Sequence, residues 1–241
     1  MVRTFGLTLG AGTFAPPRAA GWDVLALASG AHGALRAGAR LFALVPGSAV
    51  WIPGDVPLTF HLRRRAEIRI AYLRAGRVRR PPAGVEALQA GPLLQALVAR
   101  AIDRGAFDGR RAGERRLAAV LFDEVALARP AALSLPLPEA RPARTVAERL
   151  MAEPWLRLGT AELARDAGCS PRTLERAFAT ELGLGVAAWQ RKLRLLHGLA
   201  ILAAGESVTD AGLDAGYAGL SAFIAAFRRE FGASPRRFLK R

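Results

Sequence analysis

The chain has 241 residues, 51% of them hydrophobic, enough for two ordinary domains with buried cores and too apolar for a disordered chain. Lys and Arg number 35 against 20 Asp and Glu, a net charge of +15 that points to an anionic partner. The single cysteine, Cys169, excludes an intrachain disulfide framework, the scattered His32, His61 and His197 leave little for a metal site, and no apolar run approaches the ~18 residues of a bilayer span.

Residues 1–12 carry no convincing signal-peptide pattern, so a soluble cytoplasmic protein without a membrane partner is expected. Residues 1–85 read as β. Short runs at 2–9, 22–28, 40–45, 49–52, 58–62 and 67–73 contain β-branched or aromatic residues, separated by Pro16-Pro17, Gly30, Gly38, Pro46-Gly47 and Pro53-Gly54. Such spacing suits a small barrel or sandwich. After Pro81-Pro82 the period changes: Leu93, Leu94, Leu97, Val98, Ala101 and Ile102 recur at helical spacing, as do Leu117, Val120, Leu121 and Val125. These two helices pack on the β domain or on a partner subunit. A proline-punctuated stretch, 130–143, reads as an extended linker, and from Arg144 the chain is helical almost to its end.

The C-terminal part contains one small motif twice. In the first copy a short helix from Thr160 ends at Gly168, and a second begins at Ser170-Pro171, an N-cap serine followed by proline at the first helical position. Ala164 lets the helices approach, Gly168 takes the left-handed turn, and Leu174 fills the angle between them, which is the packing requirement of a helix-turn-helix. Arg172, Thr173, Glu175, Arg176 and Thr180 then lie on the outer side of the second helix, where Arg and Thr can reach base edges or phosphates in a major groove. The second copy runs from Val208 through Gly216 to Phe231, capped by Ser207 and followed by Ser234-Pro235. Between them a long helix, 186–203, carries Trp189, Leu193, Leu196, Leu199 and Ala200 on one face, able to brace both units.

Over residues 144–241 the chain resembles the AraC family of bacterial transcription regulators. The resemblance rests on Leu163-Ala164, Gly168, Ser170 to Leu174, Phe178, Leu182-Gly183, Arg194-Leu195, Ala200, Leu202, Gly216-Tyr217, Ser221 to Phe223, Phe227-Arg228, Phe231-Gly232 and Ser234-Pro235. It implies two recognition helices in successive major-groove segments of double-stranded promoter DNA. Arg172, Thr173, Glu175 and Arg176 would read the first segment, and Leu220, Ser221, Ala222, Ile224 and Ala225 the second. The chain departs from the family at Ile224-Ala225, where a polar residue and an Arg are usual, and at Gly212, where a small Ala is usual. Specificity is therefore expected to rest on the first unit, with Arg228 and Arg229 positioning the second on the backbone. Arg228-Arg229 and Arg236-Arg237 read equally as phosphate contacts or plain surface charge. Cys169 reads as a packing residue, His197 as surface of the bracing helix.

AraC-like regulators often carry a cupin-like sensor, and the run from Val45 to Leu58 is similar to the second cupin motif, with Leu58 where a metal-ligand histidine would fall. No cofactor and no metal are expected, and the chain is not expected to be an enzyme. Any effector pocket would be the barrel interior, lined by Trp22, Trp51 or Phe60, which serve equally as core. The expected fold is thus mixed. A small cupin-like β-barrel with two helices occupies 1–129 (β about 1–80, helices about 91–128), a linker 130–143, and an all-α double helix-turn-helix 144–241. The expected function is sequence-specific transcription regulation, responsive to a small-molecule effector, with a homodimer and, for an activator, RNA polymerase as further partners. Two rivals stand beside it: a cupin-type enzyme fused to a degenerate helix-turn-helix, and a non-specific nucleoid-type DNA binder. Net charge does not choose among them. Residues 1–142 hold 20 Arg against 10 acids, and residues 143–241 hold 15 Lys and Arg against 10.

Overall fold

The computed structural model describes residues 1–29 and 33–239; Gly30 and His32 lie outside the described residues. The N-terminal β residues form two antiparallel-paired sheets. One contains β1 (Val2–Leu9), β3 (Trp22–Ser29), β6 (Ser48–Ile52), β8 (Ala66–Arg74), β9 (Glu86–Gln89) and β10 (Ala106–Phe107), in the order β10-β1-β8-β3-β6-β9. The other contains β2 (Gly12–Phe14), β4 (Gly33–Ala37), β5 (Arg40–Ala43), β7 (Leu58–Leu62) and β11 (Ser134–Pro136), in the order β11-β5-β4-β7-β2. Among the described residues they do not close into the single barrel expected from the sequence. Each sheet instead ends in short edge strands, which offer little backbone for further pairing. Pro136, with no N–H to donate, suits the edge strand β11.

The side-chain period of two decides what each strand faces. Leu25 lies opposite Trp51 and Ala71 in register, so these three share one face of the six-stranded sheet. Helices α1 (Pro92–Arg104) and α2 (Ala112–Leu127) cover that face with Leu94, Leu97, Val98, Leu121, Phe122 and Val125. Burying each large side chain there contributes roughly 1.5–3 kcal/mol. Val24, Ala26, Ile68 and Ile70 are buried on the opposite face, and the second sheet buries Leu35, Leu58, Phe60 and Leu62 while exposing Arg36 and His61.

The C-terminal unit is helical: α3 (Ala143–Ala152), α4 (Thr160–Asp166), α5 (Pro171–Leu182), α6 (Val186–Ala203), α7 (Val208–Asp214), α8 (Leu220–Phe231) and α9 (Pro235–Leu239). Helix α6 packs against α5, α7, α8 and α9. It is buried nearly all round, not on one face as its sequence suggests, because four neighbours surround it. Contacts divide the chain into two compact units, Met1–Gly38 with Phe42–Ser134, and Leu135–Arg241 with Ala39–Leu41.

Candidate nucleic-acid interface

Helix α5 starts as its sequence dictates. Ser170 Oγ accepts the Thr173 N–H at 3.1 Å, and Pro171 occupies the first turn, where no N–H is needed. The turn before it bends at Gly168, φ +67°, with open space around the missing Cβ. Leu163, Ala164, Leu174 and Phe178 are fully buried, and Phe178 meets Trp189 of α6 edge-to-face at 5.6 Å. With Leu174 and Phe178 directed inward, Arg172 and Arg176 stand exposed on the outer face. Thr173 is half-buried, its Oγ1 2.9 Å from Ser170 Oγ.

Glu175 is not on that outer face. It is half-buried, and both its carboxylate oxygens are used internally: Oε1 accepts the Thr160 hydroxyl at 3.1 Å and Oε2 the Val186 N–H at 3.2 Å. It ties α5 to the first residues of α4 and α6. Gly185 makes room for it, since a Cβ there would sit 3.1 Å from Oε2. Satisfying a helix N-terminus with a carboxylate is worth more to the fold than a free acceptor on a surface destined for phosphates. In this arrangement the Glu175 carboxylate serves the fold, joining three helices.

The second unit repeats the plan with different materials. Ser207 Oγ accepts the Asp210 N–H at 3.1 Å and donates to Asp210 Oδ2 at 2.6 Å. Gly216 has φ +73°, and here a Cβ would lie 2.2 Å from the Trp155 carbonyl oxygen, so both conformation and space require glycine. Phe223, Phe227 and Phe231 form the inner face of α8, and Phe227 and Phe231 also pack on Phe238 of α9. Gly212 is explained by Phe223, whose ring and Cβ would lie 3.2–3.3 Å from any added methyl. Outward, Leu220, Ser221, Ala222, Ala225, Arg228 and Arg229 are exposed, and Ile224 is half-buried.

Helix α6 pins both units with polar side chains that the sequence does not reveal. Gln190 donates to the Leu156 carbonyl at 3.3 Å and Arg194 to the Gly216 carbonyl at 3.3 Å. Arg194 also lies over the Tyr217 ring at 4.8 Å. Burial holds the Arg194 guanidinium below its ordinary pKa and pushes the Tyr217 hydroxyl up. Lys192 pairs with Glu230 of α8 at 3.2 Å. Gly198 lets α6 approach: a Cβ there would be 3.0 Å from the Phe223 ring and 3.2 Å from the Ala211 carbonyl. Trp189 Nε1 donates to the Pro136 carbonyl at 2.7 Å, and Glu181 accepts the N–H groups of Glu139 and Ala140. His197 is half-buried against Trp155, with ring centroids 6.4 Å apart, so it is not simply helix surface.

In the N-terminal unit the three aromatic residues expected to line an effector pocket are not brought together. Trp51 is 1% exposed and sits on the helix-covered face, placed there by its register with Leu25. Phe60 is fully buried in the other sheet, stacked on Phe14. Trp22 lines an open cleft of about 620 Å³, together with Arg18, Gly21, Asp23, Gly54 and Asp55. Among the described residues no three His, Cys, Asp or Glu gather to hold a metal ion. No helix among them is long and apolar enough to cross a membrane.

The family model "Helix-turn-helix domain" matches residues 163–241. Over 214 residues, 87% of this chain and 77% of the relative, the chain is 30% identical to the HTH-type transcriptional regulator NimR of Escherichia coli K12. Over 103 residues, 43% of this chain and 31% of the relative, it is 35% identical to the HTH-type transcriptional regulator RipA of Corynebacterium glutamicum. A solved transcriptional regulator with an AraC-type DNA-binding domain, from Chromobacterium violaceum, is 27% identical over 39% of this chain and 86% of its own, with a TM-score of 0.38.

Proposed function

The chain belongs to the AraC family of DNA-binding transcription regulators, and from that premise we propose that α5 is its principal reading helix and α8 its second, mainly positioning one. The observation that carries this is the asymmetry of their outer faces. Helix α5 exposes Arg172 and Arg176, donors suited to guanine edges, beside Thr173. Helix α8 exposes Leu220, Ser221, Ala222 and Ala225, with Ile224 half-exposed, a surface fit for thymine methyls and close approach to the backbone. Arg228 and Arg229, in the last turn of α8, add phosphate contacts. The 18-residue α6 spans about 27 Å at 1.5 Å per residue, rigid enough to hold two such helices to one DNA face. Genome-wide footprinting of the full chain tests this: a few sharp promoter sites are expected, whereas a diffuse smear would favour the nucleoid-type reading.

The N-terminal unit, in this reading, is a cupin-like sensor whose two-sheet body offers an open cleft to a small-molecule effector. Its chemistry is recognition and not catalysis. Leu93, Val120 and Leu127, exposed on α1 and α2, support a homodimer formed through these helices. RNA polymerase is the further partner if the bound promoters are activated. Sedimentation of the full chain separates dimer from monomer.

A further inference from the structure

Two of the N-terminal unit's arginines, Arg3 and Arg74, converge on one aromatic ring. Trp22 and Arg74 are direct cross-strand partners on β3 and β8, and Arg3 and Tyr72 are partners on β1 and β8. The period of two places all four on the same face of the six-stranded sheet, the one α1 and α2 do not cover. There the Arg3 and Arg74 guanidinium carbons lie 5.0 and 5.7 Å from the centroid of the same indole ring. Neither has a carboxylate within ion-pair distance among the described residues, and Arg77, exposed at the turn that follows β8, adds a third positive charge.

Two like charges brought to one ring repel, and the ring's π face offsets only part of that. Each guanidinium keeps donors in a fork suited to an oxyanion. The cluster also borders the cleft. Trp22 is a wall of both, and Arg74 lies beside the cleft residue Gly21, its Nη1 3.5 Å from where a Cβ there would sit. Arg18, on the cleft lip, is anchored through a hydrogen bond to the Asp55 carbonyl. Asp23 and Asp55 also line the cleft and disfavour an anion beside them, which leaves the oxyanion to the arginines on the other side of Trp22's ring contacts and the cleft to an apolar body.

We infer that Arg3, Arg74 and Trp22 form the anion-binding end of a ligand site, taking a small organic oxyanion whose apolar body lies in the cleft against Trp22. This rests on the proposal that the N-terminal unit senses a small molecule. It places that ligand at the exposed end of this sheet face, where Arg3 and Arg74 reach solvent beyond the buried Ile68, Ile70 and Tyr72, and not inside a barrel.

The test uses the full chain without DNA, with benzoate and inorganic phosphate as probes. Tryptophan emission and thermal unfolding report binding. Saturable binding of benzoate is expected, with the emission change lost in Trp22→Phe and the affinity lowered about tenfold or more in Arg3→Met/Arg74→Met, since two charge-assisted contacts are removed. Arg74→Lys, which keeps the charge and the fold but loses the fork, should weaken it several-fold, and Arg100→Met, a charge control on α1, should not. Binding of phosphate instead, with the same dependence on the variants, supports the site and identifies the oxyanion as a phosphate group. Absence of saturable binding of either probe, or binding indifferent to Arg3 and Arg74, overturns it. So does a loss of DNA affinity in Arg3→Met/Arg74→Met without any probe binding, which would make these arginines backbone contacts to DNA. Failure of the wild-type chain to footprint promoters tests the regulator reading separately, because the anion titration needs no DNA.

Discussion

The two turn glycines of the helix-turn-helix units occupy equivalent places but not equivalent surroundings, which allows an internally controlled experiment. Gly168 and Gly216 both sit in the left-handed region, φ +67° and +73°. Alanine at Gly168 meets nothing within 4 Å, so Gly168→Ala should carry only the conformational penalty, about 1–2 kcal/mol. At Gly216 the new Cβ would lie 2.2 Å from the Trp155 carbonyl oxygen, which belongs to backbone and cannot rotate away. That is more than ~1 Å inside ordinary contact, and relieving such overpacking costs about 1–3 kcal/mol beyond the conformational penalty. Gly216→Ala should therefore destabilise the fold by about 2–5 kcal/mol, clearly more than Gly168→Ala. Chemical denaturation followed by tryptophan emission is the assay, and Trp155 itself should report loosening against His197 in the Gly216 variant. Equal losses for the two variants, or a neutral Gly216→Ala, would refute the close approach.

Three further outcomes follow. Glu175→Ala should cost about 1–3 kcal/mol of stability through two lost hydrogen bonds, with partial rescue by Glu175→Gln; changed operator preference at full stability would return Glu175 to the DNA surface. Gly198→Val should destabilise by about 2 kcal/mol or more, because the Phe223 ring and the Ala211 carbonyl already crowd that position; an unchanged melting temperature contradicts the crossing. Burial raises the Asp23 carboxyl above its ordinary range, only partly opposed by the hydrogen bond from the Gly54 N–H. The protonated form thus favours the fold, and that contribution fades as pH rises from the ordinary aspartate range through the raised value. Asp23→Asn should accordingly raise Tm at neutral pH, with the gain vanishing in acid. A gain that is larger in acid would have the wrong sign.

Much of the C-terminal unit is legible because each of its local signals agrees with the packing. Ser170-Pro171, Ser207, Gly168, Gly216 and the inward phenylalanines announce caps, turns and core in a short span of sequence. What is hidden is the choice between two outlets for the same residue. Glu175 lies at helical spacing from the exposed arginines, but the N-terminus of the next helix and the Thr160 hydroxyl of the preceding one claim it. Arg194 and Gln190 read as polar interruptions of an apolar helix, and only the fold shows the carbonyls they meet. Among the strands, Val2–Leu9 and Leu58–Leu62 are marked by their side chains, whereas Gly33–Ala37 and the two-residue β10 have almost no β-branched residues and exist through pairing. Trp51 shows the limit of composition most plainly. Its burial is foreseeable, but the face it occupies is set by register, and register depends on the partner strand.

The measurement closest to the central claim is the ratio of specific to non-specific DNA affinity for the full chain, on an operator taken from its footprint, with and without Arg176. Affinity for both DNAs should fall with salt, each phosphate contact adding roughly −0.9 to the log–log slope. Arg176→Ala should lower the ratio by about 1–3 kcal/mol if the guanidinium grips a base edge, with the salt slope nearly intact. An unchanged ratio, with only a shallower salt slope, would reduce Arg176 to a backbone contact and contradict α5 as the reading helix.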